Sequence, residues 1–283
     1  MRIALLSDVH ANLEALRATL RRIAAQGVDG VVCLGDVVGY NADPVACIAL
    51  LREVGALCVA GNHDRAVAGR ITTAGFSAAA ARGVLWTRRR LPDGERAFLA
   101  GLPLQACVAD RLVAVHGALL PGGVGCDMTR LDSDERRRAC FEALRAHPSG
   151  ARICAFGHTH HLGIYELRGD GAVRACAGDR VVLREDAYYL VNPGTVGQPR
   201  SADRRASFLV LDTERGTIAV HRTPYDHGTA LAKARRAGLA PAPSALPAPV
   251  RAALERGLRS VGLFAPARRV VRALRTRRDR VAG

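Results

Sequence analysis

No stretch of the 283-residue sequence approaches the roughly 18 consecutive apolar residues that a membrane-spanning helix requires. The apolar run between Arg2 and Asp8 is also too short for the core of a secretion signal. None of the eight cysteines forms a CxxC pair and their spacing is irregular, which argues against a disulfide framework in a chain of this length. We therefore expect a soluble, cytoplasmic protein with reduced, mostly buried thiols.

Lysine is almost absent, since Lys233 is the only one among 41 basic residues. The formal net charge of +15 alone would suggest nucleic acid or an anionic membrane as a partner. A skew towards arginine, with abundant alanine and glycine, is also what a GC-rich genome produces, so the total charge does not decide the partner. The charge is concentrated in residues 251–283, which hold ten arginines against Glu255 and Asp279.

The order of apolar segments predicts an α/β protein. Five short runs that are apolar throughout are separated by helical patterns, which is typical of parallel strands covered on both faces. These runs are Arg2–Leu6, Gly30–Leu34, Leu57–Ala60, Arg111–Val115 and Ile153–Phe156. From residue 162 onwards shorter strands follow, and they indicate a second, partly antiparallel sheet. We predict a two-sheet α/β sandwich with outer helices over residues 1–238, followed by a Pro/Ala linker and a basic helical extension over residues 239–283.

Potential metal ligands follow each of the five predicted strands. The motifs are SDVH at 7–10, GD at 35–36, GNHD at 61–64, VHG at 115–117 and GHTH at 157–160. Because strand ends share one edge of an open α/β sheet, we expect these side chains to converge. The predicted ligands are Asp8, His10, Asp36, Asn62, His116, His158 and His160.

The residue types of this set suit divalent transition metals. Carboxylate and imidazole bind Mn, Fe, Co, Ni or Zn, and the set contains no thiolate. In an extended segment, the side chains of each pair, Asp8 with His10 and His158 with His160, would point to the same side. Glycines in four of the motifs are expected to let the backbone turn sharply beside the metals. These glycines are Gly35, Gly61, Gly117 and Gly157.

The series of motifs resembles the calcineurin-like metallophosphoesterases over residues 1 to about 225. That family shows D-x-H, G-D, G-N-H-D/E, a lone H and G-H-x-H in this order. The segments SDVHANLEAL at 7–16, GDVVGYNADP at 35–44 and NPGTVGQPR at 192–200 resemble its YfcE-like branch of small phosphodiesterases. The resemblance implies a phosphoesterase with two divalent metal ions, manganese first, with iron, nickel, cobalt or zinc as alternatives.

The resemblance also implies a role for each motif residue. Asp8, His10 and His160 would hold one metal, Asn62, His116 and His158 the other, and Asp36 would bridge them. Water or hydroxide between the metals would attack the phosphorus. His63 would be the general acid for the leaving group.

One segment departs from the serine/threonine protein phosphatases of this superfamily, which carry GDxVDRG. Here GDVVGYN places Gly39 where they have the aspartate that orients the histidine, and Tyr40 where they have a phosphate-binding arginine. This argues for a small phosphate-ester substrate and leaves open what orients His63.

Three further residues are candidate substrate contacts, although turn chemistry explains some of them equally well. Asn12 and Tyr40 lie just past the first two motifs, and Arg200 ends the NPGTVGQPR segment. Two other functions stay open because of the basic extension, a nuclease acting on RNA or DNA and a metal-bound scaffold or membrane-surface adaptor. A homo-oligomer is a further expectation from the resemblance.

Overall fold

The computed structural model describes residues 1–240, so the predicted linker and basic extension lie almost entirely outside the described residues. The helices are α1 (Leu13–Ala24), α2 (Pro44–Glu53), α3 (Asn62–Val67), α4 (Ala78–Arg88), α5 (Asp93–Gly101), α6 (Asp134–Arg145) and α7 (His227–Arg236). The strands of the first half are β1 (Arg2–Leu6), β2 (Gly30–Cys33), β3 (Leu57–Cys58), β4 (Gln105–Val108), β5 (Leu112–Val115), β6 (Ala118–Leu119) and β7 (Cys126–Asp127). Those of the second half are β8 (Ile153–Ala155), β9 (Leu162–Leu167), β10 (Val173–Ala175), β11 (Arg180–Val182), β12 (Tyr188–Pro193), β13 (Ala206–Asp212) and β14 (Thr217–Thr223).

Two six-stranded mixed sheets with outer helices confirm the predicted α/β sandwich. The first sheet has the order β11-β14-β13-β1-β2-β3 and the second the order β10-β9-β12-β8-β5-β4. The expected division of strands between the sheets is wrong, because both sheets combine early and late strands. β13 pairs antiparallel with β1, matching Ile3 with Leu211, while β12 joins β8 and β9 in the second sheet. Every residue of β13 is buried, and a position in the middle of the sheet is the one that covers the whole strand.

The alternation of side chains along β1 shows how the layers pack. Ile3 and Leu5 face the second sheet, whereas Ala4 and Leu6 face the layer of α1 and α2. All four side chains are fully buried. The far side of the second sheet is covered by α6, whose Phe141 lies in a third apolar cluster. Burial on both faces explains why β1 is apolar from Ile3 to Leu6 rather than alternating.

Within residues 1–240, no helix is both long and apolar enough to cross a membrane. All eight cysteines fall in this part of the chain, all are free thiols, and six of them are buried.

Candidate active site

The loops that follow β1, β2, β3, β5 and β8 meet at one place, but they come from both sheets rather than from one edge. The first three strands belong to the first sheet and the other two to the second. Backbone hydrogen bonds join neighbouring loops: the amide of Asp8 donates to Gly35 O at 3.0 Å, and that of His10 to Asp36 O at 2.9 Å. The amide of Gly157 donates to His116 O at 3.0 Å. The packing of the two sheets therefore completes the site.

Five of the seven predicted ligands have left-handed backbone conformations. Their φ angles lie between 50° and 64°. The five residues are Asp8, His10, Asp36, His158 and His160. The expectation that the two pairs lie on extended segments is therefore wrong. Such conformations cost free energy outside glycine and occur mainly where surrounding structure enforces them, often at functional sites.

Only one of the four motif glycines has the left-handed conformation that the turn argument requires. Gly35 has a φ of +91°. The other three are needed because neighbouring atoms leave no room for a side chain. A Cβ atom would lie 2.1 Å from Asp36 Oδ1 at Gly61, 2.1 Å from Asp127 O at Gly117 and 2.0 Å from Ser7 Oγ at Gly157.

The first group of side chains consists of Asp8, His10 and His160, all buried. His160 Nε2 lies 3.1 Å from Asp8 Oδ1 and 3.1 Å from His10 Nε2. Asp8 Oδ1 is buried and accepts no hydrogen bond from the described residues. An unpaired buried carboxylate oxygen facing two imidazole nitrogens is costly unless a cation lies among them.

The second group consists of Asp36, His116 and His158, with Asn62 beside them. His116 Nε2 lies 3.4 Å from Asp36 Oδ2 and 3.2 Å from Asn62 Oδ1. Asp36 Oδ2 also lies 3.7 Å from His10 Nε2, so this carboxylate lies between the two groups. The structure thus brings all seven predicted ligands together, and it separates His158 from His160 although they are two residues apart in sequence.

Backbone carbonyls set the orientation of three of the histidine rings. The Nδ1 atoms of His10, His116 and His160 lie 3.2, 2.6 and 2.8 Å from the carbonyl oxygens of Val38, Leu34 and Gln198. Because a carbonyl only accepts, each Nδ1 carries a proton, and in the neutral form of the ring each Nε2 presents its lone pair to the cluster. This is the arrangement found for metal-bound imidazole, so the donor set fits a pair of divalent cations.

The charge states of most of these groups agree with this donor set. Burial alone would raise the pKa of Asp8 and of Asp36, but the adjacent imidazoles hold both pKa values well below the usual range. Burial lowers the pKa of His10, and it lowers the pKa of His158 to about 4. At His116, the Asp36 charge outweighs burial and raises the pKa to about 9. Ionised carboxylates and neutral imidazoles are the forms that bind metals, so His116 would release a proton when a cation binds.

Asp64, the last residue of GNHD, ties two site loops together. Its carboxylate accepts hydrogen bonds from the Val38 amide at 3.2 Å and the Gly61 amide at 2.9 Å. Burial and the nearby Asp36 charge raise its pKa to about 7. The buried Asp64 carboxylate therefore joins the loops of the second and third motifs by hydrogen bonds.

His63 lies beside the cluster, with 3% of its surface exposed. Its backbone amide donates to Asp36 Oδ1 at 2.8 Å, and its ring packs against His10 at a centroid distance of 4.8 Å. Its buried Nδ1 has no hydrogen-bond partner among the described residues. Burial lowers the pKa of His63 to about 3, so the imidazole is neutral in the free protein.

A cavity of about 740 Å³ opens over the cluster, and several of its lining residues belong to none of the motifs. Arg130, Phe76 and Met128 line it together with Tyr40 and Arg200. Arg130 precedes α6 and Phe76 precedes α4, and neither position carries a signal in the sequence. Only the tertiary structure brings them to the cluster.

The three candidate substrate contacts differ in position. Tyr40 and Arg200 line the cavity, and Arg200 Nη2 lies 3.2 Å from His160 Nε2. Asn12 does not line it. Its side chain accepts from the Ala15 amide at 3.1 Å as the N-cap of α1 and donates to Gly197 O at 3.0 Å. The buried Asn12 thus has the turn role that the sequence left open, and we do not retain it as a substrate contact.

Comparison with known proteins gives a consistent assignment. The sequence model of the calcineurin-like phosphoesterase superfamily domain matches residues 1–216. An uncharacterized protein of Methanocaldococcus jannaschii is 31% identical over 232 residues, which are 79% of this chain and 88% of that protein. A metallophosphoesterase from Sphaerobacter thermophilus shares 32% identity, with a TM-score of 0.69 over 85% of this chain and 95% of its own. A hypothetical protein from Pyrococcus horikoshii has the same fold at 15% identity, with a TM-score of 0.65 over 84% of this chain and 94% of its own.

Proposed function

The chain belongs to the calcineurin-like phosphoesterase superfamily, and from this premise we propose that it hydrolyses phosphodiesters of small molecules, nucleotides among them. The observation that carries the proposal is the buried cluster of Asp8, Asp36 and the histidines. The Nε2 atoms of three histidines lie beside these carboxylates, and one carboxylate oxygen has no hydrogen bond within the described residues. Divalent cations would pair with the ligand atoms that this cluster leaves without a partner. We assign one metal to Asp8, His10 and His160 and the other to Asn62, His116 and His158, with Asp36 shared.

The bound cations would supply an acidified water as nucleophile and positive charge for the phosphoryl oxygens. Arg200, whose Nη2 lies 3.2 Å from His160 Nε2, would bind a non-bridging oxygen and orient the ester. His63 would donate a proton to the leaving oxygen. A bound phosphoryl group favours the protonated imidazole beside it, since opposite charges raise the pKa of a histidine and so oppose the effect of burial.

The preference for a small ester over a phosphoprotein rests on the loop after β2. Gly39 and Tyr40 stand where protein phosphatases have an aspartate and an arginine. The cavity of about 740 Å³ falls within the range that binds ligands of nucleotide size, about 300–1,000 Å³. The motifs shared with the YfcE-like branch point in the same direction.

The test is hydrolysis of bis(p-nitrophenyl) phosphate by protein loaded with manganese, nickel, cobalt or zinc. We expect turnover that chelation abolishes and metal restores, and Asp36→Asn should reduce it by at least a hundredfold. Asp93→Asn removes an exposed carboxylate on α5 and serves as the matched control. Absence of turnover from a protein that carries two metal ions would refute the proposal.

The arginine-rich residues 251–283 keep nucleic acid open as a substrate or partner. If they contact backbone phosphates, deletion of residues 240–283 will weaken binding of RNA or DNA and flatten its salt dependence. Unchanged affinity and salt dependence would remove the nuclease hypothesis.

We also propose a cytoplasmic location, which the free thiols support.

A further inference from the structure

We propose that Tyr40 and Phe76 are positioning residues that hold the His63 ring in place by ring packing, in the absence of a hydrogen-bonded partner. The proposal rests on the proposed role of His63 as proton donor to the leaving group. A donor must point its ring at the leaving oxygen, and a histidine is usually oriented by a hydrogen bond to its second nitrogen. Here Nδ1 of His63 is buried and has no such partner within residues 1–240.

Three rings surround His63 at contact distance. The Tyr40 ring lies 4.8 Å away between centroids with a tilt of 35°, and the Phe76 ring lies 5.1 Å away at 67°. The His10 ring lies 4.8 Å away at 73°. These separations are within the range of about 4.5–7 Å in which aromatic pairs attract one another. Rotation of the His63 ring away from this orientation would change its packing against these rings.

Gly39, the residue before Tyr40, leaves no room for a carboxylate that could orient His63 instead of the rings. A Cβ atom on Gly39 would lie 2.2 Å from His63 Nδ1, and Gly39 has a left-handed φ of +96°. An aspartate at this position would therefore clash with the histidine that it is meant to orient. The loop after β2 packs so close to His63 that only glycine fits at position 39. This close packing brings the Tyr40 ring into contact with the His63 ring.

Tyr40 is itself fixed by its neighbours. Its φ is +57°, and its backbone nitrogen lies only 2.5 Å from where a Cβ atom of Gly83 on α4 would be. Its ring also meets the His10 ring edge-on at 4.7 Å. The following residue, Asn41, donates from its side chain to His10 O at 2.9 Å. The loop after β2 is thus held between α4 and the loop after β1, so the ring is presented by a rigid support.

Phe76 approaches from a different element, the segment that leads into α4. Its amide donates to Thr73 O at 3.1 Å, and the next residue, Ser77, caps α4 by accepting from the Ala80 amide at 3.2 Å. The Phe76 ring also lines the cavity over the cluster. Residues of two different segments, the loop after β2 and the segment before α4, therefore pack against the His63 ring.

This arrangement predicts a dependence on the leaving group. The assay compares a p-nitrophenyl phosphodiester with its phenyl counterpart, which differ only in the acidity of the departing phenol. Loss of the proton donor in His63→Gln should reduce kcat for the phenyl ester by about 10²–10⁴-fold and kcat for the p-nitrophenyl ester far less. Tyr40→Ala and Phe76→Ala should each reproduce this pattern in weaker form, roughly tenfold on the phenyl ester, with KM nearly unchanged.

Tyr40→Phe keeps the ring and should restore the wild-type ratio of the two rates. Leu85→Ala truncates an exposed side chain of α4, 44% accessible, and serves as the matched control. Thermal unfolding of each variant identifies any that fail to fold.

A second measurement does not depend on activity. In full-length protein labelled with ¹⁵N-histidine, metal-free and zinc-loaded, the His63 ring signals are identified by their loss in His63→Gln. We expect one narrow set in wild type and in Tyr40→Phe, and broadened or multiple sets in Tyr40→Ala and Phe76→Ala.

The outcomes distinguish the proton-donor role of His63 from the positioning role of Tyr40 and Phe76. Equal losses on both esters in His63→Gln would refute the proton-donor role, whatever the ring signals show. A leaving-group effect in His63→Gln that is absent from the alanine variants, together with unchanged narrow ring signals, would overturn the positioning role of Tyr40 and Phe76.

Discussion

Substitution of Gly61 by alanine offers a sharp test of how the site is built. The added Cβ atom would lie 2.1 Å from Asp36 Oδ1, 2.3 Å from the Asp36 nitrogen and 2.7 Å from its Cγ. The φ of Gly61 is −88°, which alanine adopts without strain. The whole effect therefore comes from close contact with Asp36, the carboxylate between the two groups of ligands. Because backbone as well as side-chain atoms are in the way, rotation of the carboxylate alone does not relieve the clash.

The size of the effect follows from two contributions. Overpacking of a close contact costs about 1–3 kcal/mol. Displacement of Asp36 also weakens the charge-assisted hydrogen bond from the His63 amide to Oδ1, 2.8 Å in length, and such bonds contribute about 1.5–3 kcal/mol. We expect the free energy of unfolding without metal to fall by about 2–6 kcal/mol. We expect metal affinity to fall by at least 10–100-fold, the range typical for loss of a group that orients a ligand.

The assay combines urea unfolding in the presence of a chelator with calorimetric titration of manganese. Gly30→Ala is the matched control. Among residues 1–240, no atom other than those of its chain neighbours lies within 4 Å of a Cβ atom built on this glycine of β2, and its φ is not left-handed. This variant should leave metal binding unchanged and alter stability by no more than about 1 kcal/mol. If Gly61→Ala bound two metal ions with wild-type affinity, the inferred position of Asp36 between the metals would be untenable.

Three further predictions concern Asn192 and Arg200 beside the cluster and Glu166 on β9. Asn192→Ala should lower the free energy of unfolding, measured by chemical denaturation, by about 2–4 kcal/mol. The buried side-chain amide of Asn192 donates to Gly157 O at 2.8 Å and accepts from the Gly194 amide. A loss below about 0.5 kcal/mol, the scatter of surface substitutions, would contradict this prediction. Despite burial, a hydrogen bond from Tyr189 and an ion pair hold the pKa of Glu166 below its usual 4.5. This stabilisation is present above pH 4.5 and is lost as the pH falls through the lowered pKa. The free energy of unfolding of Glu166→Gln should therefore differ most from that of the wild type near neutral pH. A difference that grows in acid would refute the assignment. Arg200→Ala should raise KM for a phosphodiester about tenfold with the metal content unchanged, and an unaltered KM would remove it from the substrate site.

The sequence was sufficient to locate the site because each motif lies at or shortly after the end of an apolar strand. An apolar run ending in a carboxylate or histidine is a local pattern, and strand ends lie where loops can meet. For this reason the seven candidate ligands, Asp8 through His160, all lie in one cluster. The α/β class followed equally from runs such as β1, which are apolar on both faces.

Features that depend on distant parts of the chain were not predictable. Whether β13 pairs with β1 or joins the second sheet is decided by the complete packing, and the periodicity of β13 is the same in either case. The reason for Gly61 lies in its distance from Asp36, 25 residues earlier in the chain, and not in its own turn. Arg130 and Phe76 reach the cavity through loop geometry that no pattern of residue types encodes.

The strained backbone of the ligands explains why several buried polar side chains surround them without facing the cavity. Five left-handed residues at about 1 kcal/mol or more each make a total that is large beside a typical net stability of about 5–15 kcal/mol, so other contacts must hold these loops in place. Thr195 Oγ1 donates to the Asp8 carbonyl at 2.8 Å, and Asn192 donates to Gly157 O and to Thr159 Oγ1. Asp64 holds the second and third motifs together in the same way. The cost of shaping the ligand cluster is thus offset by hydrogen bonds to side chains outside it, and their removal should loosen the site before it unfolds the domain.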